Sequence, residues 1–585
     1  MNSEKADNQL NLATDISDEQ REKSDELSAG FDKNNRTWDL IVRYYGDISE
    51  LENVGAYIVY LSSGYAIITI SEEYIDVLES MPQIIYVEKP KNLFFSIIDG
   101  RRASCVSAVQ MENAFGDNMT GLFGQGVICA CIDSGIDYAH PVFRNEDGTT
   151  RILKIWDQSI QGNPPDGYRI GSEYDSVAIN EALSADTPVE RYRIVPTRDY
   201  SGHGTHVAGI MAGNFADDKN NNLGMATKSS IIAVKLGGGE NNGNVSRPLT
   251  SELVQAVNYI IDQAKVYGMP VAINLSYGNT YGSHDGLSLV ETFINDVADE
   301  WKTVICVGSG NEGSVAGHAS GVIRQNTDEI VQLTVGSYQQ SFSIQIWKAY
   351  QDDIDIYLRG ATGNEYVFIN NNIGAARYII DENYIEVYYG TPVPYSTSQE
   401  IYIQIIPRGS YVTEGIWQIE LRGKKIADGK YDMWLPSAQV LGGSTRFVRP
   451  SSETTLTIPS TALGVITVGG YDSRSMSLAD FSGRGYLRLA NIVKPDLVAP
   501  AVNIRSAEPG ETTGVRTGTS MATPFVTGGA AMLMEWGIIR GRDSYLYGEK
   551  VKAYLIKGAK PFKGEEVPSP RQGWGALCVS DSIPR

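Results

Sequence analysis

Four short stretches of this chain carry residue types suited to nucleophilic acyl chemistry. Thr517-Gly518-Thr519-Ser520-Met521-Ala522-Thr523-Pro524 leads into the apolar run Phe525 to Met534, which reads as a buried helix with small residues for close packing. Ser520 would sit at that helix's N-terminus, where free N–H groups and the helix dipole favour negative charge. A serine so placed can attack a carbonyl while its own N–H stabilises the oxyanion. The plain alternative is an ordinary N-cap. Asp133 ends the continuous apolar run Gly126 to Ile132, and the carboxyl end of a buried strand is where α/β sheets place functional residues. Asp133-Ser134-Gly135 alone also suits a turn or an aspartic-protease loop. Ser201 to Gly213 holds two of the five histidines, His203 and His206. Either could be a satisfied core residue, and together they could be a metal pair. Spacing of i, i+3 with no third ligand nearby is poor for zinc, whereas a histidine at a helix start beside glycines suits a base. Asn311, between glycines at the end of strand 303–307, is either a turn former or an amide aimed into a site.

The elements that must position these residues follow from hydrophobic period. From about 103 to 327 strands and helices alternate: strand 230–236, helix 249–267, strand 271–276, helix 287–301, strand 303–307. This is a doubly wound α/β pattern with a parallel sheet. Residues 141–200 read as an irregular surface excursion. From 328 to 450 the period becomes two, as in Phe342/Ile344/Ile346, Ile354/Ile356/Leu358, Ile385/Val387/Tyr389, Ile401/Ile403/Ile405 and Trp417/Ile419/Leu421. Such spacing predicts an inserted antiparallel β-sandwich, a jelly roll. The α/β pattern resumes over 451–585. Before it, residues 37–96 predict a small α+β module: strand 38–45, helix 48–54, hairpin 56–61/65–70, helix 72–81 and strand 84–87, followed by the extended tail Leu93-Phe94-Phe95-Ser96. Residues 1–36 are charged, poor in aromatics, and predicted disordered.

Composition narrows the partners. A formal charge of −21 over 585 residues argues against nucleic acid or an anionic membrane surface. No run of 18 apolar residues occurs, so no membrane span is expected. Met1 to Asp7 lack a basic region and an apolar core, so no Sec signal peptide is expected, and no compartment follows. The five cysteines, Cys105, Cys129, Cys131, Cys306 and Cys578, do not have the pattern of a disulfide framework. Cys129 and Cys131 read as buried strand residues. Asp217-Asp218-Lys219-Asn220-Asn221-Asn222 offers oxygen ligands of the kind calcium takes, but Lys219 intrudes, so neither a metal nor another cofactor is expected.

Ile132-Asp133-Ser134-Gly135-Ile136-Asp137, Gly202-His203-Gly204-Thr205-His206-Val207-Ala208-Gly209, Ser309-Gly310-Asn311-Glu312-Gly313 and Gly518 to Pro524 together resemble the signature blocks of the subtilisin-like serine proteases, in that family's order Asp…His…Ser. The resemblance covers roughly 103–327 and 450–580. It implies Asp133, His203 and Ser520 as a catalytic triad, Asn311 as oxyanion donor and His206 as structural. Ser276-Tyr277-Gly278 resembles the strand lining the P1 site, with Gly310 beside the oxyanion donor. Leu236-Gly237-Gly238-Gly239 resembles the strand that pairs with the substrate upstream of the cleaved bond. Tyr277 and Glu312 are candidates for shaping P1 preference. Residues 37–96 then resemble the family's pro-domain, a folding chaperone and inhibitor. That implies self-cleavage after about Ser96, at the Ser96–Ile97 bond or within 94–98, and a cleaved pro-domain that stays bound as a partner beside the peptide substrate. The insert narrows the resemblance to the clostridial Csp proteases of spore germination, which implies activation of a cortex-lytic zymogen. Two other readings stand beside it: a pro-domain-locked regulatory or binding protein that works through the insert, and a broad degradative protease.

Overall fold

The computed structural model describes residues 4–91, 102–111, 121–214, 224–238, 240–241, 244–245, 247–300, 302–363, 366–441, 444–489 and 492–584. The chain divides into two compact units. One comprises 93–278, 290–311 and 459–585, the other 1–92, 279–289 and 312–458.

The first of these units is built on a parallel sheet. Strands Ile466–Asp472, Thr303–Gly308, Val271–Leu275, Ile128–Asp133, Ser230–Lys235 and Ile152–Asp157 lie side by side in that order, all parallel. Leu497–Pro500 adds in parallel to Ile466–Asp472. Strands Ile128–Asp133, Val271–Leu275 and Thr303–Gly308 are buried along their whole length, as their largely apolar sequences require when both sheet faces are covered. The helix Thr519–Met534 packs on Val271–Leu275, Thr303–Gly308, Ile466–Asp472 and the helix His203–Ala212. It is buried in every residue, so it can afford no polar face.

Two expectations for this unit are corrected. Residues 141–200 are not simply an excursion: Ile152–Asp157 is a sheet strand, and helices Ser176–Leu183 and Pro188–Ile194 follow it. Lys154 and Asp157 break the apolar run that would have disclosed the strand, because each has a partner here. Lys154 pairs with Glu173 at 2.5 Å, and Asp157 lies 3.4 Å from Lys235. One disulfide is present, Cys105–Cys578. The odd count concealed a single pair 473 residues apart and three buried thiols on strands. Burial pushes the Cys129 thiol up to about 11 and that of Cys306 to about 12, so they behave as apolar side chains.

The other unit contains the antiparallel sandwich. One sheet runs His318–Val322, Lys430–Trp434, Phe342–Ala349, Ser398–Pro407, Asn383–Tyr389, Gly374–Ile380. Its partner runs Val367–Ile369, Asp353–Arg359, Gly415–Lys425, Asp328–Val335, Arg446–Phe447. All the alternating residues named above lie in its core. The sandwich begins one strand earlier than the period predicts, at His318–Val322, whose sequence His-Ala-Ser-Gly-Val shows no apolar alternation.

The N-terminal module has strands Thr37–Tyr44, Tyr57–Leu61, Tyr65–Ser71 and Ile84–Glu88 in one sheet. The predicted disorder of residues 1–36 is corrected over the described residues, where short helices Asn8–Asp15, Asp18–Glu22 and Asp25–Ser28 form. Each is capped by a side chain: Asp7 to Leu10 N–H, Ser17 to Gln20 N–H in a capping box, and Ser24 to Leu27 N–H. The segment's few apolar residues, among them Leu10, Leu12, Ile16 and Leu27, enter the same core as Trp38, Leu40 and Ile68. Arg21 is buried. Its Nε donates to the Ala13 carbonyl at 2.9 Å, it pairs with Glu72 at 2.7 Å, and its guanidinium lies 4.3 Å from the Phe31 ring centroid.

That core also takes in Tyr388 and Tyr402 of the sandwich. Polar contacts flank it: Asn8 donates to Glu400, Gln20 donates to Glu386 at 2.6 Å, and Arg377 pairs with Glu386 at 2.8 Å. A cavity of about 50 Å³ there is lined by Asp7, Tyr86, Glu88, Lys91, Tyr395 and Glu400, among others. Loss of hydration raises the Glu400 carboxyl to about 7 and that of Asp7 to about 6. At these two carboxyls the folded unit holds protons that the unfolded chain has released, so their contribution to its stability falls as pH rises from about 4.5 towards 7, while His284, which burial lowers to about 4, contributes in the opposite sense between about 4 and 6.5. Lys89, which burial lowers to about 7, keeps its proton in both states at pH 5 and begins to release it in the folded unit only at the top of that window. In thermal unfolding, Glu400→Gln should accordingly shift the Tm change between pH 5 and pH 7 upward relative to wild type, because it removes a contribution that falls over that window. An unchanged slope in the variant would refute the assignment.

Candidate active site

Sheet register gathers the candidates. Asp133 is paired with Lys235, and Leu275 with both Ile132 and Val307. Asp133, Leu236, Ser276 and the Gly308–Asn311 turn thus leave the carboxyl ends of four neighbouring parallel strands, the edge where open α/β sheets build sites. His203 and Ser520 come from the first turns of the two helices packed there, His203–Ala212 and Thr519–Met534.

Asp133 is 1 % and His203 2 % exposed, and His203 Nδ1 lies 2.5 Å from Asp133 Oδ1. The same oxygen accepts the Ser134 N–H at 2.8 Å. A carboxylate on Nδ1 puts the proton there and leaves Nε2 as the basic nitrogen. His206 points elsewhere. Its Nε2 is 3.2 Å from the Ile504 carbonyl, and burial lowers its pKa to about 3, so it remains a neutral core residue.

Ser520 is the second residue of its helix and 2 % exposed. Its Oγ donates to the Ser276 carbonyl at 3.2 Å, while Ser276 Oγ donates to the Ser520 carbonyl at 3.2 Å. Asn274 Nδ2 donates to Ser276 Oγ at 2.9 Å, and Thr527 Oγ1 to Asn274 Oδ1 at 3.1 Å, so strand and helix are cross-braced. The Asn311 amide is oriented by Thr519, whose N–H and Oγ1 both donate to Asn311 Oδ1 at 3.2 Å. That fixes which end is the carbonyl and turns the NH₂ end to donor duty. Gly310 accepts the Gly483 N–H at 2.9 Å.

Leu236 N–H donates to the Asp133 carbonyl at 3.0 Å, and Gly237 N–H to Gln158 Oε1 at 3.2 Å; Gly238 follows in the same segment, and Gly239 lies outside the described residues. Tyr277 and Gly278 are buried beyond Ser276, and loss of hydration keeps the Tyr277 hydroxyl well above its usual range and therefore neutral. Glu312 belongs to the other unit, where desolvation raises its carboxyl to about 7. Ser96 and Ile97, and the loop 217–222, also lie outside the described residues. Sequence reasoning missed the bracing residues Thr519, Asn274, Thr527 and Gln158. Only Thr519, inside a signature block, carried any signal.

Comparison with known proteins bears on the family of the chain. Residues 124–408 and 442–575 match the model of the subtilase family, and 4–91 match that of the Csp protease B prodomain. The solved structure of the Clostridium perfringens CspB protease is 36 % identical, with a TM-score of 0.74, covering 82 % of this chain and 96 % of that one. The minor extracellular protease Vpr of Bacillus subtilis is 23 % identical over 491 residues, 79 % of this chain and 52 % of Vpr. The PIII-type proteinase of Lactococcus lactis subsp. cremoris is 23 % identical over 476 residues, 74 % of this chain. The chain therefore spans about half of Vpr's length and, at 23 %, much less of the lactococcal proteinase.

Space at the His203 helix is exhausted. A Cβ on Gly204 would overlap the Gly135 carbonyl oxygen and stand 3.0 Å from Asp133 Cβ. Gly204→Ala is expected to cost about 1–3 kcal/mol by overpacking and to push the two catalytic candidates apart. A Tm equal to wild type would contradict that packing.

Proposed function

Because the chain belongs to the subtilase family, we propose that it is a serine endopeptidase working through an acyl-enzyme, with Ser520 as nucleophile, His203 as base and Asp133 as its orienting carboxylate. The observation that carries this is the buried 2.5 Å Asp133–His203 hydrogen bond at the sheet edge that also delivers Ser520 and Asn311. In this reading His203 Nε2 takes the Ser520 hydroxyl proton as Oγ attacks the scissile carbonyl. The oxyanion is met by the Ser520 N–H, free at its helix N-terminus, and by the Asn311 NH₂ that Thr519 orients. His203 returns the proton to the leaving amine, and water, deprotonated by the same nitrogen, releases the acyl group. Leu236–Gly238 and Ser276–Gly278 hold the peptide substrate as flanking strands. No metal or cofactor takes part.

The N-terminal module is proposed as a pro-domain, cut from the catalytic unit near Ser96 by Ser520 itself. Its core includes Tyr388 and Tyr402 of the sandwich, which supports a cleaved pro-domain that stays bound without a covalent link. Similarity to the CspB protease and its prodomain supports a role in spore germination, by activating a cortex-lytic zymogen.

Intact mass and N-terminal sequencing of wild type beside Ser520→Ala test this. Wild type should appear as two fragments that co-elute, cut within 94–98, and the variant should stay whole. Both chains whole, or both cut alike, would overturn self-processing.

A further inference from the structure

The His203 helix begins in an unusual way. Its N-cap is Gly202 at φ 72°, and a Cβ there would overlap the Glu508 and Arg516 side chains. Glycine is therefore required, and glycine has no side chain with which to cap the first-turn N–H groups. Three residues supply the missing acceptors. His203 N–H donates to Ser201 Oγ at 3.1 Å, Gly204 N–H to Ser134 Oγ at 2.9 Å, and Thr205 N–H to Asp199 Oδ2 at 2.8 Å.

These acceptors converge on one carboxylate. Ser134 Oγ donates to Asp199 Oδ1 at 2.8 Å, Ser201 Oγ at 3.3 Å and Gly202 N–H at 2.9 Å; Thr205 Oγ1 donates to Oδ2 at 2.7 Å. Asp199 is 5 % exposed and has no ion pair among the described residues, so these five donors and the helix dipole carry its charge. Thr205 Oγ1 in turn accepts the Asp137 N–H at 2.8 Å. Ser134 directly follows Asp133, and His203 lies between Gly202 and Gly204. The knot therefore ties the strand end bearing one partner of the 2.5 Å hydrogen bond to the helix start bearing the other.

We infer that Asp199 is a positioning residue, which sets the Asp133–His203 geometry by capping the His203 helix in place of Gly202. The inference rests on the reading of His203 as the base. An amide cannot substitute for the carboxylate. Asn at 199 offers one acceptor oxygen, so its NH₂ must face either the Ser134 and Gly202 donors or the Thr205 donors, and that half of the knot opens.

The test uses the full chain in two backgrounds. In wild type, Asp199→Asn should lower kcat on a peptide substrate about 10²-fold with KM little changed, as expected for a shift of reacting groups that leaves the binding strands alone. In Ser520→Ala, which needs no activity, the downfield proton NMR signal of His203 Nδ1–H, identified by its loss in His203→Ala, should move upfield or vanish in Asp199→Asn. An unchanged signal overturns the inference whether or not the chain proves to be a peptidase. A wild type without peptidase activity, combined with a signal that does respond to Asp199→Asn, overturns only the functional reading. Should Asp199→Asn fail to fold, Ser134→Ala, which removes a single relay to Asp199, should show the same two effects at smaller size. Its having neither would refute the knot.

Discussion

A hydrogen bond of 2.5 Å between two side chains that are both about 2 % exposed or less can persist only if a strand end and a helix start are held to a fraction of an ångström. Asp133 and His203 are 70 residues apart in the chain, so local structure cannot hold them. The parallel sheet does the coarse work by bringing four strand ends to one edge. The fine work falls to polar bracing: Asp199 and Ser134 at the His203 helix, Asn274 and Thr527 between the Ser276 strand and the Ser520 helix, Thr519 at Asn311. Each brace buries polar groups, which is tolerable only when their donors and acceptors are matched, as they are here.

The unit that joins the N-terminal module to the sandwich follows a different logic. A module of about 90 residues is long enough to bury a core, yet this one is not closed by its own residues alone. Here its core is completed by Tyr388 and Tyr402, and Gln20 and Asn8 of the module donate to Glu386 and Glu400 of the sandwich. That arrangement makes protonation of Asp7 and Glu400 part of the stability of the unit.

Much of this was legible in the sequence because it depended on period and on rare residues. Largely apolar runs disclosed the parallel strands that hold Asp133 and Asn274, and period two disclosed the sandwich through Trp417/Ile419/Leu421 and its fellows. The site was legible because Asp, His, Asn and Ser stand among glycines at element edges. What escaped depended on partners distant in sequence. Ile152–Asp157 looked irregular because Lys154 and Asp157 are neutralised by Glu173 and Lys235. Residues 4–36 looked disordered because their helices are too short to show a period and Arg21 finds partners, the Ala13 carbonyl and Glu72, inside the fold. Cys105 and Cys578 gave no spacing signal across 473 residues. Asp199 looked like one more loop carboxylate, and only its five donors disclose its work.

The proposed chemistry requires this geometry to make Ser520 a nucleophile. Labelling with a fluorophosphonate, followed by peptide mapping, tests it most directly. Modification is expected at Ser520, abolished in His203→Ala while the protein remains folded. No modification of wild type under conditions that label a reference serine peptidase, or equal labelling in His203→Ala, would contradict it.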